Sequence, residues 1–356
     1  MITINQIKFR NALKCAGITA QRNAAHSILS HVLLSAANNT LTVQRTNLTA
    51  QITASCPCTG HIDPTAVPAA ELLASCAQLN TSITLRQDCE TITVNGCLRL
   101  PALPADNFPL AGEPGTEIAA INTGTALYDW INKVFHAAAE GDVRAALNGV
   151  QLSVDGSMIG LAATNSAVFS SYDVAAATVI AGTWDGIIPH ASAVRLTKFL
   201  RSAKGDAVLT LYRNGIRVSM AHGVFQTALI DATYPDTQRL EHLTKEDGPT
   251  VEVNRKELVE LLKTPAKFSG KFSRVSLQLS GQRTLELTAE AYFAEIGTTS
   301  KGQFNRVILN AKYLHAALLA MDGETVCLLQ PPSRNGRVVA TRGVDENHRT
   351  VIAVMI

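Results

Sequence analysis

Three copies of one hydrophobic pattern govern what this chain can fold into. In the stretch VRAALNGVQLSVDGSMIGLAATN, Val143 to Asn165, the apolar residues Val150, Leu152 and Val154 alternate with other residues, Gly156 marks a turn, and Ile159, Leu161 and Ala163 alternate again. Period-two alternation on both sides of a turn former predicts a half-buried β-hairpin. Moved back by 118 residues, the frame holds without a gap from Val32 to Asn47. Val32 and Leu34 stand for Val150 and Leu152, ANN makes the turn, and Leu41, Val43 and Thr46-Asn47 stand for Ile159, Leu161 and Thr164-Asn165. Moved forward, Val275, Leu277 and Leu279 match at an offset of 125, and Leu285, Leu287 and Ala289 at 126, with one residue added in the turn SGQRT. Self-similarity at a fixed offset sets the domain count before any fold is considered.

Each copy follows a helical segment (QIKFRNALKCAG, ALYDWINKVFHAAA, NRKELVELLKTPAKF) and precedes a second one (PAAELLASCAQL, ASAVRLTKFLRSAKG, NAKYLHAALLAM). After each second helix comes another pair of alternating segments, as in AVLTLYRNGIRVSMAHG. The unit is therefore helix, strands, helix, strands, 118–126 residues long, and three of them account for a chain of 356 residues. One core would not serve that length, since single cores stop growing near ~250 residues. Turn formers cluster in LAGEPGTE, Leu110 to Glu117, and EHLTKEDGPT, Glu241 to Thr250, which sets domains at 1–113, 118–241 and 250–356 in an α+β fold.

With 46% apolar and 17% charged residues, the composition is that of a folded globular protein rather than a disordered one. The start MITINQIKFRNALKCAG lacks a signal-peptide core, and no run of about 18 apolar residues occurs, so a cytoplasmic location without membrane contact is expected. Seven cysteines, odd in number and without a C-x-x-C, suit reduced thiols. Cys56-Pro57-Cys58 has no second ligand pair at zinc-like spacing, so no metal is expected.

Net charge is only +2, but its placement is uneven. The helical segments 6–17, 68–79, 126–139, 191–204, 254–271 and 310–321 carry +3, −1, 0, +4, +3 and +1, a total of +10 that leaves −8 for the rest. Basic helices with acidic strands and loops suit presentation of the helices to a polyanion. Arg195, Lys198, Arg201 and Lys204, spaced at three, are the clearest basic stripe. A solvated surface is the plain alternative for any one such helix. With aromatic residues at 5%, base stacking is not the expected mode, and backbone-directed contact with duplex nucleic acid is.

No phosphate-binding G-x-x-x-x-G-K-[ST], no G-x-G-x-x-G, no H-E-x-x-H and no G-x-S-x-G occurs. No cofactor is expected and no catalytic residue is assigned. His136 and His190 pair with Asp142 or Asp185 only if a structure is assumed. The competing enzyme reading is a hydrolase at a repeat junction, using carboxylates such as Asp231 and Asp236.

The segments FHAAAEGDVRAALNGVQLSVDGSMIGLAATN, IIPHASAVRLTKFL, ALIDATYPDTQRL and FNRVILNAKYLHAALLAM, with ILSHVLLSAANNTLTVQRTNLTAQI and LPALPADNFP in the first third, resemble the bacterial DNA polymerase III β subunit, the replicative sliding clamp. The resemblance runs in order along the whole chain. It implies three repeated clamp-type domains per subunit and a homodimeric ring whose helices line a channel around double-stranded DNA. Such a ring is a non-catalytic processivity factor. By resemblance, Arg22, Lys198 and Arg201 are the favoured channel contacts, beside the stripe residues Arg195 and Lys204. A clamp-like decoy that forms mixed dimers keeps the fold without the DNA role.

The resemblance further implies that DNA polymerase and clamp loader insert short linear motifs into an apolar pocket between the second and third units. Its wall would be Leu147, Thr164, Val168, Phe169, Pro235, Arg239, Leu240 and Phe272, with the carboxyl-terminal residues Val351, Ile352 and Met355. Leu147 and Phe272 have an equal reading as core. Two departures fall on this pocket. Where the family has Ala-Thr-Asp-Gly-His-Arg-Leu, this chain has ATNSAVF, with Asn165, Ser166, Ala167 and Val168 replacing the acid, glycine, histidine and arginine. Where the family ends in Met-Pro, a basic residue and leucine, this chain reads TVIAVMI. Both changes make the pocket more apolar and imply an altered partner peptide.

Overall fold

The computed structural model describes residues 1–19, 27–76, 81–112, 114–175, 182–202, 205–268, 273–290 and 292–355. Within it the three sequence repeats become three hairpins of matching bounds: His31–Ala37 with Thr40–Thr46, Gly149–Asp155 with Met158–Thr164, and Arg274–Ser280 with Thr284–Ala289. Their register is the same. Leu34 faces Val43, Leu152 faces Leu161, and Leu277 faces Leu287, all at most 1% exposed. Each such side chain contributes roughly 1.5–3 kcal/mol by leaving water.

The turns differ as their residues require. Asn38 and Asn39 both take positive φ, 50° and 59°, the two-residue turn that matches strand twist. Gly156, at φ 58°, opens the second. The Thr-Asn pair shared by the first two copies closes the next turn. Asn47 Oδ1 accepts the N–H groups of Thr49 at 3.2 Å and Ala50 at 2.7 Å, and Asn165 Oδ1 accepts those of Ala167 at 3.0 Å and Val168 at 2.9 Å. Thr46 and Thr164 accept the N–H of the residue two further on, at 3.0 and 3.1 Å.

Helices appear where periodicity places them: α1 Gln6–Ala16, α2 Ala69–Ser75, α3 Leu127–Phe135, α4 His190–Ser202, α5 Gln238–Leu243, α6 Arg255–Phe268 and α7 Ala311–Ala320. The exception is α5, which lies partly in a stretch read as linker; six residues are too few to show a helical period. Asparagine caps recur, with Asn5, Asn254 and Asn310 accepting N–H groups of Lys8, Glu257 and Lys312 at 3.1, 3.0 and 2.9 Å.

Among the described residues the strands form two antiparallel sheets, of 13 and 12 strands. The chain divides by contacts into two compact units, Met1–Tyr128 with Val194–Leu229 and Asp129–Ala193 with Ile230–Ile356. Each unit holds one sheet. Strands of the middle repeat are therefore shared out. Gly223–Ala228 pairs with Ala50–Gly60 in the first unit, and Val168–Ala175 pairs with His348–Ala353 in the second. In the first unit α1 buries Phe9 and Leu13, and Phe199 of α4 meets Phe225 with ring centres 6.0 Å apart. In the second, α6 buries Leu258 and Leu262 and α7 buries Leu314 and Leu318.

All seven cysteines are free thiols. No helix among the described residues is long and apolar enough to cross a membrane.

Candidate functional site

In the second unit, residues from distant parts of the sequence form one apolar cluster: Ala162, Phe169, Ile187, Tyr234, Leu243, Leu329, Ala340 and Val351, with the half-buried Ala146, Ile230, Leu240 and Val338 packed on it. Strand register builds it. Thr164 faces Phe169, Phe169 faces Val351, Val351 faces Ala340, and Ala340 faces Leu329, so one row of one sheet face runs across four strand pairs. The loop after Ile230, held by its N–H to Ile187 O at 2.9 Å, leads to Tyr234 and then to α5, which brings Leu240 and Leu243.

Of the residues expected to line a pocket, the structure brings Phe169, Val351 and Leu240 together here. Pro235 and Arg239 are exposed on the approach to α5 and on α5 itself, and Met355 is half-buried with its N–H on Ile308 O at 2.7 Å. Four other residues have different surroundings. Val168 and Ile352 face one another and are 1% and 0% exposed, but they lie on the opposite face of the sheet from Phe169 and Val351, because neighbouring strand residues alternate. Leu147 is core, 2% exposed in the short helical turn Ala145–Leu147. Thr164, though on the row, spends its hydroxyl on its own turn, donating to Val168 O at 2.8 Å. Phe272 lies outside the described residues.

Sequence reasoning missed Tyr234, Ile230 and Leu243. The spacing of Leu240 and Leu243 by three was the available signal. The Tyr234 hydroxyl is buried, and burial raises its pKa. Beside the cluster, Arg349 bridges Asp173 at 2.7 Å and Glu241 at 3.6 Å. Burial raises the Glu241 pKa, with the Asp173 charge adding to it. A cavity of about 270 Å³ opens there against Tyr234, Pro235 and Asp236. Asp236 accepts the Gln238 N–H at 3.0 Å just before α5.

On the opposite face of the same sheet, Lys133 of α3 is paired with Asp322 at 2.5 Å and Asp345 at 3.3 Å, and lies 4.8 Å from the Tyr172 ring centre. Burial works against its charge, but the two carboxylates outweigh burial and leave its pKa raised. His348 Nε2 is 2.8 Å from Lys133 O and 3.2 Å from Ser170 Oγ. Burial pulls the His348 pKa down to about 4 and that of His136 to about 3. The histidine–acid pairs considered from sequence do not form. His190 stacks on Phe135 at 4.8 Å, Asp142 pairs with Arg144 at 2.9 Å, and Asp185 accepts from Gln151 at 2.6 Å.

In the first unit, Lys198 and Arg201 of α4 are exposed, as are Lys8, Arg10 and Lys14 of α1. The Arg201 guanidinium sits 5.6 Å from the ring centre of Tyr128. Arg195 does not share their exposure: it is half-buried with Nε enclosed, and burial lowers its pKa. A spacing of three falls short of a full helical turn by about 60° at each step, so a stripe so spaced winds off its face. Arg22 and Lys204 lie outside the described residues.

These surfaces bear comparison with known proteins. Residues 123–236 match the family model described as DNA polymerase III beta subunit, central domain. The beta sliding clamp of Pseudomonas putida is 24% identical over 366 residues, covering 99% of each chain, and that of Vibrio cholerae 27% identical over 328 residues, covering 88% of each. The crystal structure of the DNA polymerase III subunit beta from Pseudomonas aeruginosa superposes with a TM-score of 0.89 at 24% identity, covering 100% of both chains. That of the sliding clamp from Bacillus subtilis gives 0.89 at 18% identity, covering 100% of this chain and 98% of that one.

Proposed function

We propose that the chain is a divergent member of the bacterial DNA polymerase III β subunit family and works as a DNA sliding clamp, a non-catalytic processivity factor. Two subunits, each with domains at 1–113, 118–241 and 250–356, close a ring around double-stranded DNA in the cytoplasm. The observation that carries this reading is the threefold hairpin, identical in register and each copy beside at least one basic helix, over a chain that matches sliding clamps along its length. A ring holds DNA topologically, so its contacts need not be strong. Exposed cations on α1 and α4 suit phosphates in a sequence-independent way, and a salt-dependent association follows.

The apolar cluster of the second unit is the docking point for short linear motifs of DNA polymerase and clamp loader. Leu240, Ile230, Val338 and Ala146 are its half-buried members and offer the apolar surface. Pro235, Arg239 and Met355 flank it in this reading. The replacement of the family's Asp-Gly-His-Arg by Asn165 to Val168 makes this a docking point of altered preference.

Two measurements test the proposal. The native mass by light scattering is expected near twice 37.9 kDa. A ring loaded on nicked circular duplex stays bound through a salt wash and slides off once the circle is cut. A monomer, or equal retention on linear and circular DNA, overturns it.

A further inference from the structure

A cavity of about 590 Å³ in the first unit has no part in the reading above. It is bounded by α1, the strand Ala50–Gly60, α4 and the turn at His222. Among the described residues its charged lining groups are Lys8, Lys14 and Lys198, with no carboxylate. Three ammonium groups around one hollow repel each other until an anion enters, and phosphate is the anion that accepts most such bonds. The inner wall is of another kind. Ala12, Cys15 and Cys56 are buried there, and burial pushes both thiols up to about 11, so they are neutral and add no opposing charge. The His222 ring, stacked at 4.8 Å on Phe199 with Nε2 2.9 Å from Ser202 Oγ, gives the remaining wall a fixed planar group. Burial lowers the His222 pKa, which keeps the ring neutral at pH 7.

A basic rim over a neutral, partly apolar floor matches a ligand with an anionic end and a flat body. The volume falls in the range of small-molecule sites, roughly 300–1,000 Å³. We propose that this cavity binds one nucleotide unit, its phosphate held by Lys8, Lys14 and Lys198 and its base against the floor of Ala12, Cys15 and Cys56. Two sources offer that chemistry: a free nucleoside triphosphate, or an unpaired nucleotide of a DNA strand. The inference concerns a cavity the ring reading does not use, although Lys8, Lys14 and Lys198 are among the exposed cations of α1 and α4 that serve both.

Calorimetric titration of the full chain with ATP, single-stranded oligothymidylate, tripolyphosphate and adenosine tests it. ATP or the oligonucleotide is expected to bind at least about tenfold more tightly than tripolyphosphate or adenosine, and the tighter of the two identifies the source. Ser55→Trp, on the exposed rim of the strand, fills the cavity without altering charge and should weaken binding by about tenfold or more. Lys8→Ala and Lys14→Ala should each weaken it by about five- to tenfold, while Lys256→Ala on α6 leaves it unchanged. If Ser55→Trp fails to fold by circular dichroism, the two lysine variants carry the test. The proposal is overturned if neither nucleotide binds at millimolar concentration, if tripolyphosphate binds as tightly as ATP, or if the cavity variants bind like the parent. Retention of Ser55→Trp on circular duplex is expected to equal the parent's, so failure here is distinguishable from failure of the clamp reading.

Discussion

The turn after the second hairpin offers a sharp stability test, because it sits where the chain departs from the sliding-clamp pattern it resembles. Asn165→Ala removes one oxygen that accepts two backbone N–H groups, from Ala167 at 3.0 Å and Val168 at 2.9 Å. Thr164 retains the Ser166 N–H at 3.1 Å, so two donors lose their partner rather than three. Each net hydrogen bond is worth about 1 kcal/mol, and the site is half-buried, so water replaces part of the loss and about 1–2 kcal/mol remains. Asn47→Ala, the same change one repeat earlier, acts at a residue only 7% exposed with bonds of 2.7 and 3.2 Å, and should cost about 2–3 kcal/mol. A carboxylate accepts the same two bonds, so Asn165→Asp should lie within about 0.5 kcal/mol of the parent. Ser166 holds φ 73°, where the family has glycine, and Ser166→Gly should stabilise by about 1 kcal/mol. Urea unfolding followed by circular dichroism measures all four, with midpoints shifting at constant slope. The reasoning is refuted if Asn165→Ala is neutral, or if Asn165→Asp loses as much as Ala.

Three further outcomes follow from the second unit. Lys133→Met leaves the Asp322 and Asp345 carboxylates without their cation; Lys133 is 9% exposed but Asp322 is 69% exposed, so the cost should be about 2 kcal/mol rather than that of a fully buried pair, read by urea unfolding. His348 and His136 are held neutral when folded, with pKa values near 4 and 3 against 6.5 when unfolded. The unfolded chain therefore binds more protons as pH falls, and stability drops from pH 6.5 towards 4 by ~1.4 kcal/mol per pH unit per histidine; His348→Asn should flatten that slope. Val168→Arg, which restores the family's residue, should destabilise by about 3 kcal/mol or more, because it drives a charge into the core opposite Ile352; a thermal melt unchanged from the parent would contradict the register.

What was legible in the sequence was local. The three hairpins were read residue by residue, and the Thr-Asn match between the first two copies has its reason in the turn both pairs close. Six of the seven helices fell on periodic segments, while α5 was too short to announce itself. Pairing between distant strands was not legible. Nothing in Gly223–Ala228 or Ala50–Gly60 says that they adjoin, nor in Val168–Ala175 and His348–Ala353, since the hydrogen bonds of a ladder are made by backbone and leave no residue signature. The middle repeat was read as one unit because its covalent order is continuous; its strands nonetheless enter two sheets. Arg195 differs in exposure from Lys198 and Arg201 for a related reason. Charge counting along a helix ignores the rotation between successive positions, and half of a residue's surroundings come from elements elsewhere in the chain.

The same distinction bears on the docking point. Four departures from the family, Asn165 to Val168, read in sequence as one block of lost specificity. In the fold they separate. Asn165 closes its turn as an acid would, and Ser166 sits at the left-handed position with its hydroxyl 2.7 Å from Arg144 Nη2. Val168 points to the face away from Phe169. Ala167, half-exposed and tied through its carbonyl to the Ala353 N–H at 2.8 Å, joins the altered block to the altered carboxyl end without entering the core as Val168 does. In the proposed reading, a changed preference for partner peptides would rest on Ala167 together with Ala353 to Met355. On that reading a histidine at position 167 would bear on partner choice, whereas an arginine at 168 bears on stability.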